Sequence, residues 1–520
     1  PWDADPNPPD PESTLMSMLE GPPPQKAVVA GGGTAGSLAA IILRRAGYDV
    51  EVFEQRRDPI KQGWPHDDCN FNVVLHDRAQ VALRRAGVDV KALTTEIVQL
   101  RGHFNHSPRP GAAPALQKGA KLQKGEKAPI SISSDDLAAT LIAAARLMGV
   151  GFRFNVRFQN LDVNDSSAGF ISPSGTKTRH KYDVLVGADG AYSRVRKELT
   201  DQERMEFNYA AFPWKFKTLR IGRGGEGSAK SEGLPLEWQQ ATHSWGGFHL
   251  DHYLFAAPNP DGTLTGVLWM PSAGAGSFEM KLKTERNVKD FFQAKFPGLL
   301  PHLHPAYATR LSRQKARPGG VSVLPSTSHG RGTGAVLVGD AAHALWPTLE
   351  LGTAACGEQP QYPKYHWTFC LKSPTKSTSS HPRALESAAA LGEALAECQV
   401  ASGGGLPAPQ QLGEAYTRVH EKNAAAAAWL CEFLFRSWWE VWWHRATQAA
   451  LGWLHGRWPE SWPDSALHAL RGHEASFEDV RARVLVEKEK LRALGGIVLA
   501  AVFAAAVVAV FAALRMAGKA

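Results

Sequence analysis

Residues 26–58 read KAVVAGGGTAGSLAAIILRRAGYDVEVFEQRRD. The apolar run Ala27–Ala30 predicts a buried first strand, Ser37–Ala46 has helix composition ended by Gly47, and Val50–Phe53 predicts a second strand closing on Glu54. Between strand and helix, Gly31, Gly33 and Gly36 occupy the G-x-G-x-x-G positions. Gly31 permits the tight turn, Gly33 admits a pyrophosphate close to the backbone, and Gly36 lets helix and strand pack closely. The unpaired N–H groups and dipole at the helix start favour phosphate, and Glu54 can accept hydrogen bonds from a ribose. Strand, turn, helix and terminal acid together specify a Rossmann-like dinucleotide unit.

Working outward, two more strand-to-helix turns carry Gly and Asp. YDVLVGADGAYSRVR (182–196) places Asp189–Gly190 after an expected strand at Val184–Val186, and GAVLVGDAAHALWP (334–347) places Gly339–Asp340 after one at Ala335–Val338. A carboxylate at a strand's C-terminal edge can hold a ligand lying across the sheet, and Asp340 can accept bonds from a polyol. In this order and spacing the three elements resemble those of the single-component FAD-dependent aromatic hydroxylases. The resemblance implies FAD as cofactor, NAD(P)H as reductant, dioxygen and a small aromatic substrate as partners, and Gly31, Gly33, Gly36, Glu54, Asp189, Gly190, Gly339 and Asp340 as cofactor-binding residues.

Within that family the chain is similar to the kynurenine 3-monooxygenase branch. The segments that carry this are NFNVVLHDRAQVALRRAGV (70–88), SISSDDLAATLI (131–142), EFNY (206–209), APNPDGTLTGVLWMP (257–271) and VKDFFQAKFPGLLP (288–301). The chain departs from the branch at several points. Family arginines fall on Cys69 and Ser134, and the arginine that holds the substrate carboxylate falls on His103, with Arg101 two residues earlier. Arg101 and His103 are therefore the candidates for a substrate anion. After His343 the family's PFFGQGMN is replaced by Pro347-Thr-Leu-Glu-Leu-Gly-Thr-Ala354, which keeps Gly352 as a further cofactor candidate and sets Glu350 near the flavin ring. His343 is read as structural, and no catalytic acid or base is singled out.

The fold expected is α/β, a Rossmann-like FAD-binding domain with an antiparallel β-sheet substrate domain, C-terminal helices and one transmembrane helix. Residues 26–204 and 325–405 form the two parts of the FAD domain, and 205–324 the substrate domain. Residues 356–383 break the composition and read as an insertion. Residues 406–486 read as helical, with Trp438, Trp439, Trp442 and Trp443 on one helix face, packed on the core or lying on a membrane. Residues 1–25, proline-rich and without a basic residue, read as a disordered leader that fits neither a transit peptide nor a secretory signal.

The 22 residues 493–514 carry no charged or polar side chain. As a helix they would span roughly 33 Å, enough for a hydrocarbon core of about 30 Å. They are expected to anchor the chain in a membrane with its catalytic body in the cytosol; the resemblance implies the mitochondrial outer membrane. The 520 residues carry 58 basic and 50 acidic side chains and no long basic block, which speaks against nucleic acid as a partner. Five dispersed cysteines support neither a metal site nor a disulfide framework. Two other functions stay open on sequence: a membrane-bound flavin enzyme acting on a lipid as an epoxidase or reductase, and a flavin-binding protein without turnover.

Overall fold

The computed structural model describes residues 24–63, 71–106, 115–118, 127–222, 234–247, 251–319, 321–325, 333–344, 381–402, 404–418, 476 and 478–486. In chain order the strands that build its two principal sheets are β1 (Lys26–Ala30), β2 (Asp49–Glu54), β3 (Gly102–His106), β4 (Gly151–Phe154), β5 (Val184–Gly187), β6 (Trp214–Ile221), β7 (Ala241–Gly247), β8 (His252–Pro258), β9 (Leu264–Pro271) and β10 (Ala335–Leu337). Three helices matter most: α1 (Thr34–Arg45), α2 (Arg194–Asp201) and α3 (His381–Ala401).

The first sheet is five-stranded, in the order β10-β5-β1-β2-β4, and every pairing is parallel. Parallel strands covered on both faces should be apolar throughout, and Val28, Val29, Val52, Leu185, Val186 and Leu337 are all buried. Helix α1 covers one face with Leu38, Ala39, Ala40, Ile41 and Leu43, each at 0% exposure. Burying one such leucine contributes roughly 1.5–3 kcal/mol. Small residues let α1 lie close to its neighbours, and α3 packs on it through Ala388, Leu391 and Leu395. A three-stranded antiparallel unit over Arg157–Asp162, Ser167–Ile171 and Lys177–Lys181 closes the other side, where Phe53 stacks on Phe170.

The second sheet is seven-stranded. Its order is Arg317–Pro318, β6, β9, β8, β7, β3 and Ala115–Lys118. Register assigns its two faces. Leu254, Leu268 and Met270 point to one side, where Val288, Phe292 and Leu299 from the 285–302 segment cover them. Tyr253, Phe255, Val267 and Trp269 point to the other, where they meet Val74 and Leu100 of the FAD domain. The seam is also hydrogen-bonded: Asn72 Nδ2 donates to the Pro258 carbonyl at 2.9 Å and Ser131 Oγ donates to it at 2.9 Å.

The domain boundaries drawn from sequence need one correction. β3 and Ala115–Lys118 lie within 26–204 in sequence but pair into the second sheet, β3 running parallel to β7. The pairing is long-range: β3 carries two side chains per face that match β7 in character, His103 and Asn105 against Thr242 and Ser244, and Phe104 and His106 against His243 and Trp245. Among the described residues no helix is long and apolar enough to cross a membrane. The anticipated leader up to residue 23, Glu350, Gly352, the segment 356–380, the four clustered tryptophans and the anchor 493–514 all lie outside the described residues.

Candidate functional site

Three turns leave the C-terminal ends of the adjacent strands β1, β5 and β10. Ala188 N–H donates to the Ala30 carbonyl at 2.8 Å and Val338 N–H to the Gly187 carbonyl at 2.9 Å, so the three strand ends are level. Gly31, Asp189 and Asp340 thereby come to one edge of one sheet, where ligands of open α/β folds bind.

The glycines differ in what they do. Gly31 sits at φ 109°, in the left-handed region, and a Cβ there would lie 2.3 Å from the Ala188 carbonyl oxygen. A Cβ on Gly36 would lie 1.9 Å from the Gly31 carbonyl oxygen, so any side chain forces helix and turn apart. Gly33 has an ordinary φ of −74° and is the N-cap of α1. Nothing comes nearer to a Cβ built there than Arg56 Nη2 at 3.9 Å. That opening lies in front of a twelve-residue helix whose N-cap offers no side chain to its first amides. A phosphate group fits that cradle.

Glu54 is 3% exposed. Its Oε2 accepts the Gly32 N–H at 2.7 Å, while Oε1 accepts the Arg56 N–H at 2.8 Å and Arg56 Nε at 3.0 Å. The carboxylate at the end of β2 is thus pinned against the glycine turn, with Arg56 beside the same opening.

Asp189 is a helix cap. Its Oδ2 accepts the Arg194 N–H at 2.7 Å and the Val195 N–H at 3.2 Å, and the Ser193 hydroxyl donates to Oδ1. Burial lifts its carboxyl above the ordinary range, opposed by those donors. Gly190 follows at φ 84°, and a Cβ added to it would meet nothing within 4 Å, so backbone is what this turn presents to a ligand. Gly339, at φ 61°, donates its N–H to Ser387 Oγ at 3.0 Å, and Asp340 is the half-buried first residue of the short helix Asp340–His343. His343 Nε2 lies 3.1 Å from the same Ser387 Oγ.

Arg196 closes the 182–196 segment and was given no role from sequence. The residue is 3% exposed, and its guanidinium donates to the carbonyls of Ala341 at 2.7 Å, Asp340 at 3.3 Å and Ala191. The rings of Phe207 and Tyr209 stand 5.7 and 5.5 Å from its Cζ. One buried cation therefore clasps the turn after β5 to the turn after β10. The signal was available: Arg196 sits three residues after Ser193, whose hydroxyl accepts its N–H at 2.9 Å in a capping turn.

The two substrate candidates separate. Arg101 is exposed and His103 is buried at 4%. His103 lies on the face of the second sheet that turns toward the FAD domain, in register with Thr242, as Asn105 is with Ser244 and Ser244 with Phe255. His103 Nδ1 is 2.8 Å from Thr242 Oγ1, and Nε2 is 2.9 Å from Ser244 Oγ and 3.1 Å from Asn105 Oδ1. On the opposite face His106 and His243 share a hydrogen bond of 3.0 Å, and His243 Nε2 donates to the Trp238 carbonyl at 3.0 Å. Burial pushes His106 down to about 2 and His243 down to about 4, so both are neutral core groups. Among the described residues no group of three or more His, Cys, Asp or Glu could hold a metal ion.

The FAD binding domain family matches residues 25–354. Kynurenine 3-monooxygenase of Salinispora tropica is 30% identical over 315 residues, covering 60% of this chain and 66% of its own length. The kynurenine 3-monooxygenase of Stenotrophomonas maltophilia is 31% identical over 315 residues, covering 60% of this chain and 65% of its own. The chain therefore spans slightly less than two thirds of these relatives. A tetrameric 2-methyl-3-hydroxypyridine-5-carboxylic acid oxygenase superposes with a TM-score of 0.55 at 19% identity, over 79% of this chain and 90% of its own, which establishes a shared fold. With its glycine cradle, level strand ends and this match over more than half its length, the chain belongs to the FAD binding domain family.

Proposed function

We propose that this chain is an FAD-dependent monooxygenase of the kynurenine 3-monooxygenase type, which consumes NAD(P)H and dioxygen to hydroxylate a small aromatic substrate. The observation that carries this reading is the gathering of Gly31, Asp189 and Asp340 at the level ends of three adjacent strands, in a domain that packs against the aromatic inner face of the second sheet. FAD, when bound, supplies the redox chemistry. The chain's own part is to bind, orient and shield. Gly33 and the first amides of α1 hold the pyrophosphate, Glu54 lies at the ribose end, and Asp340 faces the polyol. Arg196 fixes the spacing between the last two turns, and Tyr253, Phe255 and Trp269 exclude water from the face opposite the cofactor. Gly352 belongs to the same cofactor set.

The polar group of His103, Asn105, Thr242 and Ser244 on that face favours a small aromatic with one polar substituent over a lipid. Residues 493–514 serve as a membrane anchor with the catalytic body on the cytosolic side, at the mitochondrial outer membrane. Their uninterrupted apolar composition supports this. The test is direct. Full-length protein purified in detergent should be yellow and should oxidise NAD(P)H faster with an aromatic substrate such as kynurenine than without it. A colourless protein, or one whose NAD(P)H oxidation no aromatic compound stimulates, would overturn the reading.

A further inference from the structure

Twice the chain reads Leu-Arg-Arg-Ala-Gly-x-Asp-Val, at 43–50 and again at 83–90. Each copy ends a helix, the first α1 and the second Asp77–Arg85, and its glycine turns the chain back, Gly47 at φ 105° and Gly87 at φ 77°. The helix Ser134–Leu147 ends in the same way, at Gly149 with φ 83°. The arginines of the first copy tie these ends together. Arg44 Nε donates to the Met148 carbonyl at 3.1 Å, and Arg45 Nη1 to the Ala86 carbonyl at 2.8 Å. Gln399 Nε2, near the end of α3, donates to the Ala46 carbonyl at 3.3 Å. Four helix C-termini therefore meet at one end of the FAD domain. It is the end where β1 and β2 begin, because the Asp49 N–H bonds the Gln25 carbonyl and Arg44 Nη1 bonds that of Tyr48. The cofactor edge lies at the opposite end of the same strands.

Cations are favourable at helix C-termini, which accounts for the arginines but not for their neighbours. Leu147 is 86% exposed, Val400 84% and Met148 37%. These aliphatic side chains stand beside exposed Arg44, Arg45 and Arg84. Among the described residues neither Arg44 nor Arg45 has a carboxylate partner; both bond carbonyls. Arg85 is paired with Glu393, and Arg84 Nη2 lies 3.6 Å from Asp77. The exposed acids of the two repeats are Asp49 and Asp89, and Asp89 spends Oδ1 on the Lys91 N–H. Protruding aliphatics with uncommitted arginines between them match a bilayer with anionic headgroups: the first enter the acyl boundary and the second reach the phosphates. Chain length adds a constraint. The described helix over 478–486 ends seven residues before the apolar run begins at 493. Fully extended, that stretch reaches no farther than roughly 25 Å. A body tethered so closely has to lay one of its faces against the bilayer.

We propose that the end of the FAD domain bearing Leu147, Met148, Val400, Arg44, Arg45 and Arg84 is the face that rests on an anionic membrane, with the cofactor edge turned to water. The proposal rests on the anchor reading of residues 493–514, and the experiment separates the two. Full-length protein is reconstituted into phosphatidylcholine vesicles with and without phosphatidylserine. It carries a fluorescent amino acid at position 147, at 400, or, as the control, in place of the exposed Tyr192 at the cofactor edge. Spin-labelled lipid should quench 147 and 400 roughly threefold more than 192, and more strongly with phosphatidylserine than without it. Arg44→Glu combined with Arg84→Glu should remove the dependence on phosphatidylserine at unchanged FAD content. If that variant does not fold, the three labelled positions decide alone. Vesicle-bound protein quenched equally at all three positions, or at none, overturns the proposal and leaves the anchor standing. Positions 147 and 400 shielded from iodide yet untouched by spin-labelled lipid would assign the face to a second protein copy, which also overturns it. Quenching indifferent to phosphatidylserine overturns the anionic surface. Protein that does not float with vesicles sinks the anchor and the proposal together.

Discussion

The edge of the parallel sheet and the inner face of the mixed second sheet are built by opposite means. At the parallel sheet the groups that matter are main chain: the turn at Gly31, the open cradle at Gly33, the left-handed Gly190 and Gly339. Side chains there mostly serve the backbone, as Asp189 does in capping α2 and Arg196 in gripping three carbonyls. On the second sheet the backbone is ordinary ladder, and what distinguishes one place from another is which side chains occupy the pleats. Added volume at Gly31 or Gly36 meets fixed backbone, whereas side-chain-built regions can be retuned one residue at a time. Substitutions in the two regions should therefore differ in kind as well as in size.

The largest expected effect is at Gly36. Its Cβ would fall 1.9 Å from the Gly31 carbonyl oxygen, a backbone atom that cannot rotate away. Gly36→Val should yield protein without bound FAD, read as the loss of flavin absorbance after gel filtration. Stoichiometric FAD in that variant would show that the turn can open and that the comparison is drawn too sharply. Arg196→Met comes next. It removes the donor from the Asp340, Ala341 and Ala191 carbonyls, and hydrogen bonds to a charged group contribute about 1.5–3 kcal/mol. Unfolding in urea should begin earlier by an amount in that range, and FAD should dissociate faster because the second and third turns lose their clasp. A variant with lower stability but unaltered FAD release would confine Arg196 to the fold.

How much of this was legible in the sequence follows the same division. The strand and helix positions around Gly31 emerged within three residues at each boundary, because burial on both faces of a parallel strand writes an apolar run into the chain. The destination of β3 was not legible. Gly102–His106 contains two histidines and an asparagine, carries no apolar alternation, and finds its partner 139 residues away at Thr242. Nothing local encodes a parallel pairing of that span. His103 was found through a position in a family pattern. That both its ring nitrogens are engaged depends on β7 lying beside β3.

A third prediction turns on pH and on the outer face of the second sheet. His243, fully buried, titrates at about 4 in the folded protein against an ordinary value near 6.5. The unfolded chain therefore binds a proton that the folded chain refuses as pH falls below 6.5. The stability this neutral imidazole contributes is present above pH 6.5 and is lost progressively as pH falls toward 4, by about 3 kcal/mol at most. His106, lower still, acts in the same direction. Thermal unfolding followed between pH 7.5 and 5 should show Tm falling with acidification. His243→Phe, which keeps the stacking with Phe104, should flatten part of that slope. An identical slope in the variant would assign the acid sensitivity elsewhere.

The smallest effect is expected where α3 meets the turn after β10. Ser387 Oγ is surrounded by three partners: the Gly339 N–H at 3.0 Å, His343 Nε2 at 3.1 Å and Tyr416 Oη at 2.8 Å. Three neighbours match one hydroxyl's capacity of two lone pairs and one hydrogen, and both Ser387 and Tyr416 are at 0% exposure. Tyr416→Phe removes one partner and leaves the other two, so it should lower stability by about 1 kcal/mol and leave FAD binding nearly unchanged. Ser387→Ala removes the hub. It strands the Gly339 N–H beside the third cofactor turn, and should both destabilise by about 1–3 kcal/mol and weaken FAD retention. The pair sharpens the contrast between backbone-built and side-chain-built regions: a side chain matters to the cofactor edge to the extent that it holds main chain in place. Equal FAD loss in the two variants would contradict that rule, because the Gly339 N–H bonds Ser387 Oγ directly and Tyr416 Oη bonds Ser387 Oγ.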